Sequence, residues 1–306
     1  VTGVQTCALP ILVVWYTPDG AQAIRRIGAA FTAATGVPVV VETPDGIPAR
    51  YQQAAAGGKG PDVCTFPHDR IGEYVAGGLL HAVSPSRELL ADLDPQAWQA
   101  MQWRGRAWGY PLAVDAVTLI HNRALVPRPP TSFDEVFEIE ARLARQGRHA
   151  LLWDYTNAYF TWPLMAAGGA YAFRRREDGS YDVRDTGVAH EGAQRGAALL
   201  QRLLREGVMT PGSGYAEMEA AMAQGRAAMM INGAWSWVNL QRAGIDFGVA
   251  RIPSVGGRAS APFLGVRALL VNRASAQREL AVEFIERWLL APEGLRALDA
   301  AEPLGL

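Results

Sequence analysis

The chain has 306 residues, 49% of them apolar and 19% charged, and a formal net charge of −1. That length exceeds one ordinary compact domain and suits two. The balanced charge, with no basic block, excludes nucleic acid and an anionic membrane surface as expected partners, and no apolar run approaches the ~20 residues of a membrane-spanning helix.

Residues 1–10, Val-Thr-Gly-Val-Gln-Thr-Cys-Ala-Leu-Pro, have neither helical nor strand period. They lack the charged start and long apolar centre of a secretion signal. They are expected to be foreign sequence, which would leave the true N-terminus and any export signal outside this chain. The two cysteines, Cys7 and Cys64, show no metal-binding spacing. Cys64, inside Val63-Cys64-Thr65, is expected as a small core residue; the sequence supports no disulfide to Cys7.

From residue 11 a β/α rhythm begins. Ile11 to Tyr16 is a continuous apolar run, the pattern of a strand covered on both faces. A helix follows Thr17-Pro18-Asp19-Gly20, with Ile24, Ile27 and Phe31 at helical spacing, and stops at Gly36. Val37 to Val41 is a second strand, and Tyr51 to Ala56 ends a second helix. A third strand starts at Pro61 and a third helix spans Arg70 to Ala76. This order implies a parallel sheet flanked by helices. Trp103 to Pro111 reads as a tight hairpin, and Ala113 to Ile120 as one strand rich in β-formers. Ser132 and Glu135 have capping-box spacing at the start of a helix. Ala150 to Trp153 is a strand, followed by the aromatic stretch Tyr159-Phe160-Thr161-Trp162. Helices over 191–207 and 215–224, a strand over 227–231, a helical start at Trp235, a strand over 263–271 and a helix over 276–290 complete the series. The fold class is α/β, with the rhythm occurring twice, before and after about residue 115.

No catalytic constellation emerges. The chain has no P-loop, no Gly-x-Gly-x-x-Gly after a strand and no Gly-x-Ser-x-Gly elbow. His68, His81, His121, His149 and His190 are scattered. His68-Asp69-Arg70 reads as a turn in which Asp69 caps the next helix rather than as a base with its orienting acid. What recurs is a set of polar and aromatic residues just beyond strand C-termini: Thr17 and Asp19, Phe66 and Asp69, Tyr159 and Phe160, Trp235. Ligands of open α/β sheets bind beyond those strand ends. Aromatic faces against a sugar ring, with short acids and amides on its hydroxyls, would use this set.

The motifs Gly60-Pro61-Asp62, His68-Asp69-Arg70, Tyr110-Pro111-Leu112-Ala113-Val114, Tyr159-Phe160-Thr161-Trp162-Pro163-Leu164, Ile231-Asn232-Gly233 with Trp235 and Trp237, and Pro303-Leu304-Gly305 stand in one order. In them the chain resembles the periplasmic maltose/maltodextrin-binding proteins, solute-binding proteins of ABC importers, from about Ile11 to Leu306. The resemblance implies a two-lobed fold: an N-lobe of 11–113 plus 268–306, a C-lobe of 118–263, and a hinge near 113–117 and 264–267. It implies a monomeric periplasmic protein that closes on a sugar and docks on a membrane permease, with no catalytic residue, cofactor or metal. Carried over position by position, its ligand contacts fall on Thr17, Asp19, Phe66, Asp69, Arg70 and Asp115 in the N-lobe. In the C-lobe they fall on Asn157, Tyr159, Phe160, Tyr215 and Trp235, with Trp162 assigned to packing.

Departures from the family pattern affect sugar choice. The lysine after the first acid is missing at Gly20, and an acid pair is replaced by Pro48-Ala49. A tryptophan becomes Phe66, a glutamate shortens to Asp115, and another becomes Asn157. A maltodextrin held with altered preference, or another glucoside such as trehalose, is therefore expected. Family members also continue well beyond the Pro-Leu-Gly, so this chain is expected to be a C-terminally truncated fragment. The competing functions are a hydrolase of the same sugars, which would need two facing carboxylates, a binding protein for a non-sugar solute, and an interaction scaffold.

Overall fold

The computed structural model describes residues 10–177 and 180–302. Residues 1–9 with Cys7, and the Pro-Leu-Gly motif at 303–305, lie outside them, so the expectations placed there have no structural counterpart. The chain divides into two units, residues 1–115 with 265–306, and residues 116–264.

In the first unit, five strands lie in the order Val39–Glu42, Leu12–Trp15, Val63–Pro67, Gly265–Val271, Tyr110–Asp115. The first three are parallel, as the β/α rhythm requires. Gly265–Val271 runs antiparallel to both of its neighbours, so the sheet is mixed rather than all parallel. The reason is connectivity: the chain leaves this sheet at Asp115 and re-enters at Gly265, its partner in register, so the returning strand points back. The apolar stripe of Pro18–Thr35 buries Ile24, Ile27 and Phe31 on one face of the sheet. Phe31 meets Phe284 edge-on at 5.1 Å and Trp288 at 5.7 Å. The other face is covered by Ile47–Ala56 and Ile71–Ala76, through Tyr51 and Tyr74. Cys64 is a buried free thiol there, its Sγ 3.9 Å from the Leu270 carbonyl oxygen.

The second unit holds a four-stranded sheet in the order Phe247–Ala250, Thr118–Asn122, Ala227–Asn232, His149–Leu152. Ala227–Asn232 is buried at every position and pairs parallel with His149–Leu152, antiparallel with Thr118–Asn122. Ser132 caps Phe133–Leu143 by accepting from the Glu135 N–H at 3.4 Å. The Glu135 carboxylate reaches back to the Thr131 hydroxyl at 2.6 Å.

Two expected elements are corrected. The single strand over 113–120 is two strands, Tyr110–Asp115 and Thr118–Asn122, belonging to different sheets. β-forming residues favour extended backbone without specifying which partner it pairs with. The helix over 276–290 is α-helical only over Arg278–Phe284 and widens into a π-turn at Ile285–Leu289. The hairpin expected around residue 105 is present as Gln102–Trp103 paired with Arg106–Ala107, turning at Arg104 and Gly105 with φ of 52° and 72°.

Candidate functional site

In the first unit, Thr17 sits between Leu12–Trp15 and the helix Pro18–Thr35, and its hydroxyl donates to Glu302 Oε2 at 3.3 Å. Asp19 is exposed in the first turn of that helix. Asp115 ends its strand. Asp69 and Arg70 are exposed on the 3₁₀ turn His68–Arg70 beyond Val63–Pro67, with Arg70 Nη1 3.9 Å from Glu73 Oε2. Asp69 makes no capping bond: Arg70 occupies the N-cap position of Ile71–Ala76, and no side chain caps it. His68 Nδ1 accepts the Val266 N–H at 3.1 Å, and burial lowers the His68 pKa against the opposing pull of Asp69. The imidazole thus ties the turn His68–Arg70 to the strand Gly265–Val271 as a neutral acceptor.

Phe66 does not present a stacking face. It is 4% exposed and lies edge-on to Tyr74 at 5.1 Å and tilted against Tyr51 at 5.7 Å. A phenyl ring with no polar handle gains most from full burial, and the alternation along Val63–Pro67 points it, with Cys64, at the covering helices.

The structure adds a buried polar group that the sequence did not announce. Tyr16 Oη donates to Glu302 Oε1 at 2.5 Å, and Arg267 Nη1 lies 2.9 Å from the same oxygen. Burial works against the Arg267 charge, but Glu302, Tyr16 and Asp115 outweigh it and raise the Arg267 pKa. Burial also raises the Asp115 pKa, with Arg267 pulling it down and Glu302 pushing it up. Asp115 Oδ1 is buried with no hydrogen-bond partner among the described residues, an acceptor without a donor at a strand end. Arg267 was detectable as the one charge inside the apolar run Gly265–Val271; Glu302 carried no such signal.

In the second unit, Asn157 is exposed and caps Ala158–Ala166, its Oδ1 accepting the Tyr159 N–H at 3.0 Å. The cap fixes the entry of the helix, and the next two residues form the aromatic group. Half-buried Tyr159 lies edge-on to buried Phe160 at 5.5 Å and tilted toward Trp235 at 6.3 Å. Phe160 meets Tyr215 at 5.9 Å. Trp235 Nε1 donates to Tyr215 Oη at 3.1 Å. Four of the five residues expected in this unit therefore form one connected aromatic group, and Asn157 borders it. The sequence reading missed Phe263, which stacks on Trp162 at 5.0 Å and on Tyr159 at 6.3 Å. Trp162 packs against it as an interior residue, 9% exposed.

The aromatic residues gather because of topology. His149–Leu152 and Ala227–Asn232 are parallel neighbours, so Asn157-Tyr159-Phe160 and Trp235 follow strand ends on one edge of the sheet. Aromatic rings grouped in this way suit an apolar ligand face. Among the described residues, no group of three His, Cys, Asp or Glu is placed to hold a metal ion, and no helix is long and apolar enough to cross a membrane.

The family described as bacterial extracellular solute-binding protein matches residues 26–305. The galactooligosaccharide-binding protein of Bacillus subtilis (strain 168) is 30% identical, over 89% of this chain and 67% of that protein. The maltotriose-binding protein of Pyrococcus abyssi is 27% identical, over 95% and 65%. A maltooligosaccharide ABC transporter solute-binding lipoprotein of Streptococcus pneumoniae is 27% identical, over 92% and 69%. The chain spans about two thirds of the length of these curated relatives. It belongs to the bacterial extracellular solute-binding protein family.

Proposed function

We propose that the chain binds an oligosaccharide outside the cytoplasm, without chemical change, for delivery to the permease of an ABC importer. The observation that carries this reading is the connected group Tyr159, Phe160, Tyr215 and Trp235 at one edge of the second sheet. Relatives named for galacto- and malto-oligosaccharides support a pyranose ligand whose hydroxyl pattern varies within the family. Tyr159 and Trp235, both half-buried, supply ring faces, and buried Phe160 seats them. Asn157 offers an amide where a carboxylate was expected. Thr17, Asp19, Asp69, Arg70 and Asp115 are the proposed polar contacts of the first unit; Phe66 is not among the contacts. The working division is the proposed N-lobe and C-lobe, joined by the crossovers near 113–117 and 264–267.

Titration with maltose, maltotriose, trehalose and a galactooligosaccharide, followed by tryptophan fluorescence, tests the reading. A saturable change with at least one sugar and no new reducing ends is expected. Silence with every sugar overturns the reading, and release of reducing ends replaces it with hydrolysis. Trp235→Ala is expected to weaken binding by about tenfold or more, ~1.4 kcal/mol or above. His68→Ala is expected to leave affinity unchanged, because His68 serves a backbone N–H. Equal losses in the two variants reject the assignment of roles.

A further inference from the structure

Glu219 lies one helical turn after Tyr215 on Tyr215–Ala223. Tyr215 Oη is 2.9 Å from Glu219 Oε1, 3.1 Å from Trp235 Nε1 and 3.4 Å from Asn232 Nδ2. An indole N–H and an amide NH₂ only donate, and a carboxylate accepts, so the direction of the chain is fixed: Trp235 and Asn232 donate to the phenol, and the phenol donates to Glu219. A phenolic oxygen has one proton and two lone pairs, and all three are used. The indole N–H is used as well. Burial raises the Tyr215 pKa to about 12, so the hydroxyl keeps its proton at neutral pH. Behind the indole, the backbone approaches so closely that a Cβ at Gly233 would lie 2.0 Å from Trp235 Cζ3. The ring is thus held at its nitrogen by the relay and along its benzo edge by the glycine.

We infer that Glu219 is a positioning residue: through Tyr215 it locks the Trp235 indole, so that Trp235 and Tyr215 meet a pyranose with ring faces and do not read its hydroxyls. The inference rests on the saccharide-binding reading and sharpens it. This part of the wall is indifferent to sugar epimers, and epimer choice falls to the polar groups elsewhere. That division suits a family whose members bind both galacto- and malto-oligosaccharides.

The test uses the full chain and its variants Tyr215→Phe, Glu219→Met and Glu219→Gln. The ligands are maltose and its C4′ epimer, 4-O-α-D-galactopyranosyl-D-glucose. Tyr215→Phe and Glu219→Met are expected to weaken both ligands by the same factor, about three- to tenfold, leaving the ratio of the two Kd values at its wild-type level. Glu219→Gln keeps an acceptor oxygen and is expected to recover most of the affinity. The indole N–H resonance of Trp235, assigned by its loss in Trp235→Phe, is expected to move in Tyr215→Phe. A changed Kd ratio in Tyr215→Phe overturns the inference by making the phenol a hydroxyl reader, and an unmoved indole resonance overturns the relay. Failure of the wild type to bind any sugar would instead sink the functional reading, with the indole resonance still deciding whether the relay exists.

Discussion

Asp115 shows how a single residue carries opposed demands. Its carboxylate ends a strand, half-buried, with Oδ1 unpartnered among the described residues and Arg267 as the compensating charge. Burial places its folded pKa above the unfolded value of 3.8. The folded state therefore holds the proton more tightly than the unfolded state, and stability is lost as pH rises from 3.8 through the folded pKa. Asp115→Asn is expected to raise Tm at neutral pH, with the gain vanishing below pH 3.8, and to weaken sugar binding. A lower Tm at pH 7 would assign the carboxylate to stability instead. Residue types at strand ends marked Phe66, Tyr159 and Trp235 as candidates, because aromatic surface there is costly without a use, whereas Asp115 entered only through the family resemblance. Residue types did not separate Phe66 from the other two. A phenyl ring is equally at home on a wall or in a core, and only its facing side decides.

At the scale of elements, the helix Ala158–Ala166 positions Tyr159 and Phe160, and its seat depends on closeness to Glu191–Arg205. A Cβ added at Gly196 would fall 2.7 Å from the Leu164 carbonyl oxygen and 2.8 Å from Met165 Cα. Backbone, unlike a side chain, has no rotamer with which to give way. Gly196→Val is therefore expected to cost about 1–3 kcal/mol in urea unfolding and to weaken sugar binding by displacing the aromatic residues. A stable variant with wild-type affinity would show that the helix position is not critical. Glu191–Arg205 was readable from its apolar stripe, since burial of one side selects the 3.6-residue period, whereas Ala158–Ala166 is apolar almost all round and carries no such stripe. The glycines in the same sequence were not readable as a crossing point, because small residues serve turns and contacts alike.

For the whole molecule, the buried cores fall within the two units. Ile231 belongs to the cluster of the 116–264 unit and Leu269 to a cluster of the other, and both are fully buried. Each truncation to alanine is expected to cost about 2–5 kcal/mol. With no shared core neighbours, the double variant is expected to lose the sum to within ~0.5 kcal/mol. A coupling above ~1 kcal/mol in denaturant unfolding would show that the two cores stabilise one another.

By itself the sequence determined the α/β rhythm, most helices and the identity of the aromatic residues, because periodicity and capping act over a few residues. Tertiary structure decided what depends on distant partners. It turned Gly265–Val271 antiparallel, split the strand over 113–120 between two sheets, and put Phe66 in the core. It also joined Tyr16, Arg267 and Glu302, residues up to 286 positions apart, and directed the Trp235 indole through Tyr215 to Glu219. Local preferences fix backbone shape over short spans; which side chains share a buried space follows from how the strands are ordered.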